Sequence, residues 1–572
     1  MQKLSELGER IGATAKKLEK MALVAEYLRA RPVEEAAVSA VFLSGRPFPM
    51  WEQTTLNVGG RLLWQVIKEI SGRTDAQLEA SYRRHGDIGA VTGEVFPERP
   101  DDRLTVLEVE RRFREIASAR GVSAKRAAAC ALLGQATPLV AKYLVKIITG
   151  DLRIGLKESL VEEGIAKAYG AKLTEVQRAN MLLGDIGETV RLAADSRLGE
   201  AKMRLFHPIG FMLASPVESA GEALGYFENA QVEHKYDGVR AQAHISGGEV
   251  RFFSRTRDEI TESFPELPDA LGGLAQDAIL DGEIVAWSYP DGVPPDEGRA
   301  MPFSRLQQRL GRKKVSDELM RQVPVAYLTF DVLYAGGELM LDRSLGERGN
   351  LLNQLLAAPR SRLTGRRPQG QASLLFEADA EPAAAHVIRA PVYKASRAEE
   401  LDGLFLEAQA RGNEGLMIKD LESVYTPGRR GKSWLKMKRE LATLDVVVTA
   451  VEYGHGKRIG VLSDYTFAVR DGERLVNIGK AYSGLTDREI EEMTKWFLEH
   501  TIQDHGFRLD VEPKIVLEVA FNNMMRSGRH NSGYALRFPR IVRLRPDKLP
   551  EEADTLARVK EIYERQHRKP AV

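Results

Sequence analysis

The spacing of apolar residues changes near residue 206, and this change constrains the fold of the chain more than any other feature. From residue 1 to about residue 205, apolar side chains recur every three or four positions, which is the spacing of an amphipathic helix. Early examples of this spacing are Leu4, Leu7, Ile11, Leu18 and Met21. The sequence therefore predicts that residues 1–205 form an almost entirely helical domain.

After residue 206, apolar residues alternate or run together over short stretches, as they do in β-strands. In residues 206–440 these stretches alternate with helical patterns, which predicts an α+β domain. The predicted strands of this domain are Val232–Lys235, Ala241–Ile245, Val250–Phe253, Ala278–Val285 and Val325–Leu333. In residues 441–572, short strands such as Tyr465–Val469 and Val516–Phe521 predict a small β-barrel. A chain of 572 residues is long enough to give each of these three domains its own core.

The composition excludes several classes of protein. No apolar run reaches the length of about 18 residues that a membrane span needs, and the first residues lack the apolar core of a signal peptide, so we expect a cytoplasmic protein that does not enter a membrane. The chain has one cysteine, Cys130, which rules out an internal disulfide and a metal site built from several cysteines.

Basic residues are concentrated in two segments, although the formal net charge is only +1. One segment runs from Arg429 to Arg439 and contains no acidic residue. The other lies near the C-terminus and contains Arg537, Arg540, Arg543, Arg545 and Lys548. Clusters of this kind occur where phosphates bind, although a solvated charged surface has the same composition. We predict phosphate contacts for both, because each cluster coincides with a sequence motif.

The segment Glu233–Arg240, with the sequence Glu-His-Lys-Tyr-Asp-Gly-Val-Arg, presents Lys235 directly before a tight turn. A lysine amine attacks phosphorus only when it is unprotonated, so its site must disfavour the charged form. Neighbouring cations and desolvation both have this effect. Lys436 and Lys438 could supply the cationic field. We therefore interpret Lys235 as a nucleophile that attacks a nucleotide phosphate.

Two strands with acidic ends follow, Asp281–Val285 and Glu414–Lys419. Carboxylates that project into a triphosphate site can hold Mg²⁺ directly or through water, because Mg²⁺ prefers oxygen ligands and bridges to substrate phosphates. A solvated strand end is the alternative explanation for each segment. Between them in the sequence, Phe330 could stack on a purine, although an aromatic inside an apolar strand more often belongs to the core.

Taken in order along the chain, these segments resemble the motif set of ATP-dependent DNA ligases. The motifs are Lys235–Arg240, Phe253–Arg255, Asp281–Glu283, Phe330–Asp331, Glu414–Met417, Trp434–Lys438 and Arg537–Arg540 with Asp547–Lys548. Two further segments, Thr149–Leu156 and Leu444–Arg458, resemble parts of the helical DNA-binding domain and the OB-fold domain of that family. The resemblance implies a multidomain fold: an all-α DNA-binding domain over 1–205, an α+β adenylation (nucleotidyltransferase) domain over 206–440 and a C-terminal OB-fold β-barrel over 441–572.

The resemblance also implies roles for individual residues. Lys235 would carry AMP through a phosphoramide bond, Glu233 would bind the edge of adenine, and Phe330 would stack on its ring. Other residues would contact the ribose, the phosphates or the departing pyrophosphate: Arg240, Arg255, Arg430, Lys436, Lys438, Arg545 and Lys548. Glu283 and Glu414 would serve the metal-dependent steps, with Mg²⁺ as the metal and Mn²⁺ as an alternative.

The implied reaction consists of three phosphoryl transfers. Lys235 attacks the α-phosphate of ATP and releases pyrophosphate, AMP then passes to the 5′-phosphate of a DNA nick, and the 3′-hydroxyl finally displaces AMP. The expected partner is nicked double-stranded DNA, bound through its backbone without sequence readout. We expect a monomer. No sliding-clamp peptide is evident, because Gln2 lacks the paired aromatic residues of such a peptide.

Two alternatives stay open at the level of sequence. An RNA ligase or an mRNA capping guanylyltransferase also carries a nucleotide on lysine, but the long helical N-terminal region and Arg537–Arg540 favour a DNA ligase. A nick-binding scaffold without catalysis is the other alternative, although no motif residue is missing to suggest it. Uptake of label from α-labelled ATP or GTP distinguishes these possibilities.

Overall fold

The computed structural model describes residues 1–99, 104–274, 276–290, 292–312, 314–357, 385–438, 442–454, 458 and 460–567. Arg439 of the first basic segment and residues 455–457 lie outside this part of the chain. The chain divides into two compact units. One contains residues 1–48, 54–170 and 440–572, and the other contains residues 49–53 and 171–439.

The N-terminal part of the first unit is helical, as predicted. Its helices are α1 (Gln2–Gly12), α2 (Lys17–Arg29), α3 (Val33–Leu43), α4 (Gly60–Ser71), α5 (Asp75–His85), α6 (Ile88–Val95), α7 (Val106–Ser118), α8 (Val122–Leu133), α9 (Pro138–Thr149) and α10 (Glu158–Tyr169). Helix α1 buries Leu4, Leu7 and Ile11, which are the residues of its predicted apolar face. Leu18 does not continue this face, because it lies in the first turn of α2 and is 74% exposed.

The second unit contains further helices and two sheets. Its helices are α11 (Leu173–Leu183), α12 (Ile186–Ala194), α13 (Ala220–Leu224), α14 (Leu267–Leu271), α15 (Phe303–Leu306), α16 (Asp317–Gln322), α17 (Leu345–Ala357) and α18 (Ala398–Ala410). The predicted helical region up to residue 205 is confirmed as helical. Its last two helices, α11 and α12, belong to the second unit, and the three-domain boundaries remain a prediction.

The smaller sheet of this unit has four strands and the larger has seven. The strands are β1 (Leu213–Val217), β2 (Ala230–Lys235), β3 (Val239–Ser246), β4 (Glu249–Ser254), β5 (Ala278–Ser288), β6 (Arg299–Ala300), β7 (Val325–Ala335), β8 (Glu338–Leu339), β9 (His386–Arg389), β10 (Gly415–Asp420) and β11 (Arg430–Lys438). The smaller sheet has the order β1-β11-β10-β2, and the larger has the order β4-β3-β5-β7-β8, with β6 paired to β5 and β9 to β7.

One apolar cluster joins the two sheets. It contains Ala214 and Trp434 from the smaller sheet together with Ile279 and Leu333 from the larger one. Burial of such side chains contributes about 25 cal/mol for each square ångström of apolar surface removed from water. This shared core holds β1 and β11 in a fixed position relative to β5 and β7.

The C-terminal part of the first unit is a curled antiparallel sheet, consistent with an OB-fold. Its elements are β12 (Ala442–Tyr453), β13 (Leu462–Asp471), β14 (Arg474–Ala481), α19 (Asp487–Glu499), β15 (Thr501–Asp504), β16 (Arg508–Val511), β17 (Val516–Phe521), β18 (Asn523–Arg526), β19 (Tyr534–Arg537), β20 (Arg540–Leu544) and α20 (Leu556–His567). The long strand β12 pairs with β13, β16 and β17, which curls the sheet around its apolar core. In the described residues of the whole chain, no helix has the length and apolar character that crossing a membrane requires.

Candidate active site

Three neighbouring strands place the predicted site residues on one face of the smaller sheet. Strand β10 pairs antiparallel with β2 on one side and with β11 on the other. Residues that face each other on antiparallel strands project to the same side of the sheet. The three rows are Lys235, Gly415 and Lys438; Glu233, Met417 and Lys436; and Gln231, Lys419 and Trp434. The predicted nucleophile therefore shares a face with the residues predicted to bind the nucleotide.

A cavity of about 220 Å³ is lined by residues of this face and of the larger sheet. The predicted site residues that line it are Glu233, Lys235, Arg240, Arg255, Glu283, Phe330, Arg430, Lys436 and Lys438. Met417, Lys419 and Trp434 also line it, and the sequence motifs alone gave these three no separate role. Met417 and Lys419 alternate along β10, and Trp434 alternates with Lys436 along β11. This alternation predicts that the three side chains face the cavity, once the register of the two strands is known.

The Lys235 amine is paired with a carboxylate. Its Nζ lies 2.5 Å from Glu414 Oε2, and Lys438 Nζ lies 3.0 Å from the same oxygen. Burial alone would raise the pKa of Glu414, but the charges of Lys235 and Lys438 outweigh it and lower that pKa to about 2. Glu414 is therefore a stable anion between two cations of the cavity.

Positive charges are crowded around Lys235. Burial lowers the pKa of Lys436, and the charges of Lys438, Arg430 and Lys235 lower it further. Lys436, Lys438 and Arg430 lie on β11, and Lys235 lies on β2, on the other side of β10, so the strand pairing brings the positive charges together. A site of this kind attracts phosphates.

Glu283 is a second carboxylate at the cavity, and its environment is the opposite of that of Glu414. It lies on β5 opposite Arg240 of β3. Burial raises its pKa to about 7, and the charges of Glu414 and Asp281 also raise it, although Lys235 and Arg240 act against this shift. The like-charge effect shows that the two glutamates are close enough to repel each other. A bound cation would relieve that repulsion.

Arg240 is held by the protein itself. Its Nε and Nη2 donate to the two carboxylate oxygens of Asp281 at 3.1 and 2.7 Å, and its Nη1 donates to the Met212 carbonyl oxygen at 2.7 Å. Tyr425 also donates to Asp281, at 2.7 Å. Burial alone would lower the pKa of Arg240, but the charge of the buried Asp281 outweighs it, raises that pKa and fixes the guanidinium at the cavity wall. The sequence motif contained Asp281 but did not indicate this partner.

A buried ion pair lies at the other end of the cavity. Lys419 Nζ donates to Glu233 Oε2 at 2.6 Å, and Gln231 Nε2 donates to Glu233 Oε1 at 2.7 Å. Glu233 is 2% exposed and Lys419 is 1% exposed. The Lys419 ammonium also lies 4.1 Å from the centre of the Phe330 ring. Phe330 is partly buried at the cavity rather than fully enclosed in the core.

Arg545 and Lys548 lie in the first compact unit, and neither lines the cavity. Both are paired with one carboxylate. Arg545 Nη1 donates to the two oxygens of Asp445 at 2.8 and 3.1 Å, and Lys548 Nζ donates to Asp445 Oδ2 at 2.6 Å. Asp445 raises the pKa of Lys548 through this hydrogen bond. The structure therefore gathers these two predicted residues at Asp445, near the start of β12.

Comparison with known families identifies all three regions of the chain. Residues 211–438 match the model of the ATP dependent DNA ligase domain. Residues 1–166 match the DNA ligase N terminus, and residues 458–548 match the ATP dependent DNA ligase C terminal region.

Individual relatives are similar over nearly their whole length. A probable DNA ligase of Koribacter versatilis (strain Ellin345) is 59% identical over 568 residues, which cover 99% of this chain and 97% of the relative. A DNA ligase of Methanocella arvoryzae is 35% identical over 586 residues, covering 99% of this chain and 98% of the relative. The solved structure of Pmar-Lig_PreS3 has a TM-score of 0.58 at 17% identity and covers 95% of this chain and 99% of its own, which supports the fold.

Proposed function

This chain belongs to the ATP-dependent DNA ligase family, and we propose that it seals nicks in duplex DNA by carrying AMP on Lys235. The observation that carries this assignment is the position of the Lys235 amine, at a cavity lined with cations and beside the Glu414 carboxylate. A lysine amine that has lost its proton is a nucleophile, and the surrounding positive charges can hold a triphosphate.

The first step is attack of the Lys235 nitrogen on the α-phosphorus of ATP. The N–P bond forms, the bond from phosphorus to the bridging oxygen breaks, and pyrophosphate leaves. Lys436, Lys438 and Arg430 line the cavity around the amine, which supports their assignment to contacts with the phosphates. Because these contacts neutralise the charge of the triphosphate, positioning and electrostatics supply most of the catalysis.

The next two steps use the adenylate. An oxygen of the 5′-phosphate at the nick attacks the phosphorus of lysine-bound AMP, and the Lys235 nitrogen leaves. The 3′-hydroxyl oxygen then attacks the 5′-phosphorus, forms the phosphodiester bond and releases AMP. Arg255 and Arg240 are the further cations at the cavity that we assign to the ribose or the phosphates during these transfers.

We assign a divalent cation, Mg²⁺ with Mn²⁺ as an alternative, to Glu283 and Glu414. The mutual repulsion of these carboxylates supports the assignment. No group of three or more His, Cys, Asp or Glu side chains suited to a metal occurs among the residues that the structure describes. Mg²⁺ commonly uses one or two carboxylates together with substrate phosphates, so two glutamates fit it. When bound, the ion would neutralise phosphate charge.

Adenine is assigned to the end of the cavity that contains Glu233 and Phe330. An ionised carboxylate only accepts hydrogen bonds, so Glu233 can bind the exocyclic amine of adenine and would repel the carbonyl oxygen of guanine at that position. Phe330 provides a ring face on which the purine can stack. This arrangement favours ATP over GTP and therefore argues against a capping enzyme.

DNA binding is assigned to the three regions together. We propose a helical DNA-binding domain over residues 1–205, an adenylation domain over 206–440 and an OB-fold domain over 441–572, with nicked duplex DNA as the substrate. Arg545 and Lys548 are assigned to the departure of pyrophosphate. Action as a cytoplasmic monomer without a sliding-clamp peptide stays a prediction from the sequence.

The test is the sealing of a nicked DNA duplex with ATP, ADP, NAD⁺ and GTP in turn. We expect sealing with ATP and loss of sealing in Lys235→Ala. Lys314→Ala is a matched control, because Lys314 is an exposed lysine of the same compact unit and is not among the residues that line the cavity. Binding to the nick without sealing by any nucleotide would indicate a scaffold, and uptake of GTP instead of ATP would indicate a capping-type enzyme.

A further inference from the structure

Residues 49–53 belong to the second compact unit, although the residues on both sides of them in the sequence belong to the first. Trp51 anchors this short segment. Its ring stacks on the ring of His207, with the centroids 4.4 Å apart and the planes 4° from parallel. Its Nε1 donates a hydrogen bond to Asp185 Oδ2 at 3.0 Å. These two contacts fix the backbone next to Gln53.

Gln53 uses both ends of its side-chain amide. Its Oε1 accepts a hydrogen bond from the backbone N–H of Glu259 at 2.7 Å, and its Nε2 donates to the carbonyl oxygen of Arg257 at 3.2 Å. The amide thus pairs with two backbone groups that are two residues apart, in the way that a neighbouring strand would. Paired contacts of this kind set the orientation of the bound backbone as well as its position.

The backbone that Gln53 holds is the turn after β4. Arg257 has a φ of 71°, which lies in the left-handed region that residues with a side chain rarely adopt. Within the turn, the Ser254 N–H donates to the Asp258 carbonyl and the Arg257 N–H donates to the Ser254 carbonyl, both at 2.8 Å. A residue keeps such a conformation where several surrounding contacts hold its backbone in place. Gln53 supplies two further hydrogen bonds from outside the turn.

Arg255 projects from the same turn, and its side chain lines the cavity. Its charge contributes to the lowered pKa of Lys436, so it acts within the positive field of the site. Among the described residues, no acidic side chain forms an ion pair with Arg255, in contrast to Arg240 and its partner Asp281. The backbone of the turn therefore decides where the Arg255 guanidinium lies.

We propose that Gln53 is a positioning residue for the nucleotide reaction. By holding the backbone at Arg257 and Glu259, it sets where Arg255 meets a phosphate or the ribose of ATP. The inference rests on the proposed function, because it requires that the cavity binds ATP. It gives a role at the nucleotide site to a residue that lies 204 positions before Arg257 in the sequence.

The test is a double-mutant cycle in the full-length protein. The rate of label transfer from α-labelled ATP is measured in single turnovers over a range of ATP concentrations, because each Lys235 takes up one AMP. KM denotes here the ATP concentration that gives half of the limiting rate, and kcat denotes that limiting rate. Gln53→Ala should raise KM for ATP about threefold to tenfold with a smaller change in kcat, since it removes two modest hydrogen bonds. In an Arg255→Ala background the same substitution should change KM by less than about twofold, because its effect acts through Arg255.

Two further variants separate positioning from stability. Gln53→Glu keeps only the acceptor for the Glu259 N–H, so its KM should lie between those of the wild type and Gln53→Ala. Gln135→Ala is the matched control, because Gln135 is another exposed glutamine that donates to a backbone carbonyl, that of Ala131, in the other compact unit. We expect wild-type KM for this control, and the same thermal midpoint for both alanine variants.

Three results for KM would overturn the inference. Gln53→Ala alone, or Arg255→Ala alone, could have the wild-type KM. The free-energy effects of the two substitutions on KM could also add fully in the double variant. A lower thermal midpoint with unchanged KM would assign Gln53 to stability and would also overturn it. Each of these outcomes leaves the proposed function standing, whereas absence of label transfer in the wild type would overturn the proposed function itself.

Discussion

The Glu233 carboxylate is held at both of its oxygens, by Lys419 on one and by Gln231 on the other. Burial lowers the pKa of Lys419, while Glu233 acts in the opposite direction and stabilises its charge. A buried pair of this kind depends on both members, because either charge alone would be costly inside the protein. Lys419 therefore determines whether Glu233 can serve as an ionised acceptor for adenine.

Replacing Lys419 by Met should be strongly destabilising. The variant leaves the Glu233 carboxylate buried without its cation, which costs about 3–5 kcal/mol in the free energy of unfolding. Chemical denaturation measures this loss. The double variant Lys419→Met/Glu233→Gln should recover much of the stability but not the preference for ATP over GTP in label transfer. Equal stability of the wild type and Lys419→Met would contradict this account of the pair.

Glu283 should make the stability of the metal-free protein fall with rising pH. Its pKa in the folded state is about 7, against an ordinary value of 4.5, so the folded protein binds more protons than the unfolded chain between these values. The contribution of Glu283 to the free energy of unfolding is fully present below pH 4.5 and is lost as the pH rises through 7.

The variant Glu283→Gln removes this dependence. In the presence of a chelator it should be more stable than the wild type by about 1–3 kcal/mol at pH 8 and equally stable at pH 4. The measurement is the free energy of unfolding at both pH values, with Glu422→Gln as the control because Glu422 is an exposed glutamate of the same compact unit. A difference that is the same at both pH values would count against the raised pKa.

At the scale of elements, β10 is the strand that organises the site. It lies between β2 and β11, and its first residue, Gly415, lies opposite both Lys235 and Lys438. Gly415 has a φ of 147°, and a Cβ there would meet the Met437 carbonyl oxygen of β11 and the ring of Phe405. The absence of a side chain at this position lets the strands bring the two lysines to the same carboxylate.

Gly415→Ala should therefore disturb both stability and catalysis. The added methyl group must push β10 away from β11, and overpacking of this kind costs about 1–3 kcal/mol. We expect a lower thermal midpoint and slower label transfer from ATP. Gly431→Ala on β11 is the control, because nothing lies within 4 Å of a Cβ at that position. Similar behaviour of the two variants would show that the close approach at Gly415 is unimportant.

The sequence predicted the elements well but not the contacts between them. Strand β17 has the predicted bounds Val516–Phe521, because its apolar run is short and continuous. The pairing of Lys419 with Glu233 could not be predicted, since it depends on the register of β10 against β2. The contact of Gln53 with the turn after β4 joins segments about two hundred residues apart and leaves no local pattern. Leu18 fits the helical spacing but is exposed, because spacing alone does not show where packing begins.

At the scale of the whole molecule, the predicted site residues are divided between the two compact units. The cavity with Lys235 belongs to one unit, and Arg545 and Lys548 belong to the other. In that unit both cations are paired with Asp445, at the start of β12. Because we assign these two residues to the departure of pyrophosphate, their substitution should slow only self-adenylation, which is the step that releases pyrophosphate.

Arg545→Ala should therefore separate the steps of the reaction. Self-adenylation, measured as label transfer from ATP, should fall roughly tenfold or more, because a cation that stabilises the leaving group is lost. Sealing of a nick that already carries AMP should change less than about threefold. Arg558→Ala is the control, since Arg558 is an exposed arginine of the C-terminal helix α20 that pairs with Glu561. Equal losses in both reactions would contradict the assignment of Arg545 to pyrophosphate.

The central claim is that a covalent bond forms between the Lys235 nitrogen and the phosphorus of AMP. The most direct measurement is mass spectrometry of the full-length protein after incubation with ATP and Mg²⁺, followed by peptide fragmentation. We predict one added AMP, located on Lys235 and removed again by excess pyrophosphate. An AMP group on another residue, or no adduct in an active preparation, would contradict the account.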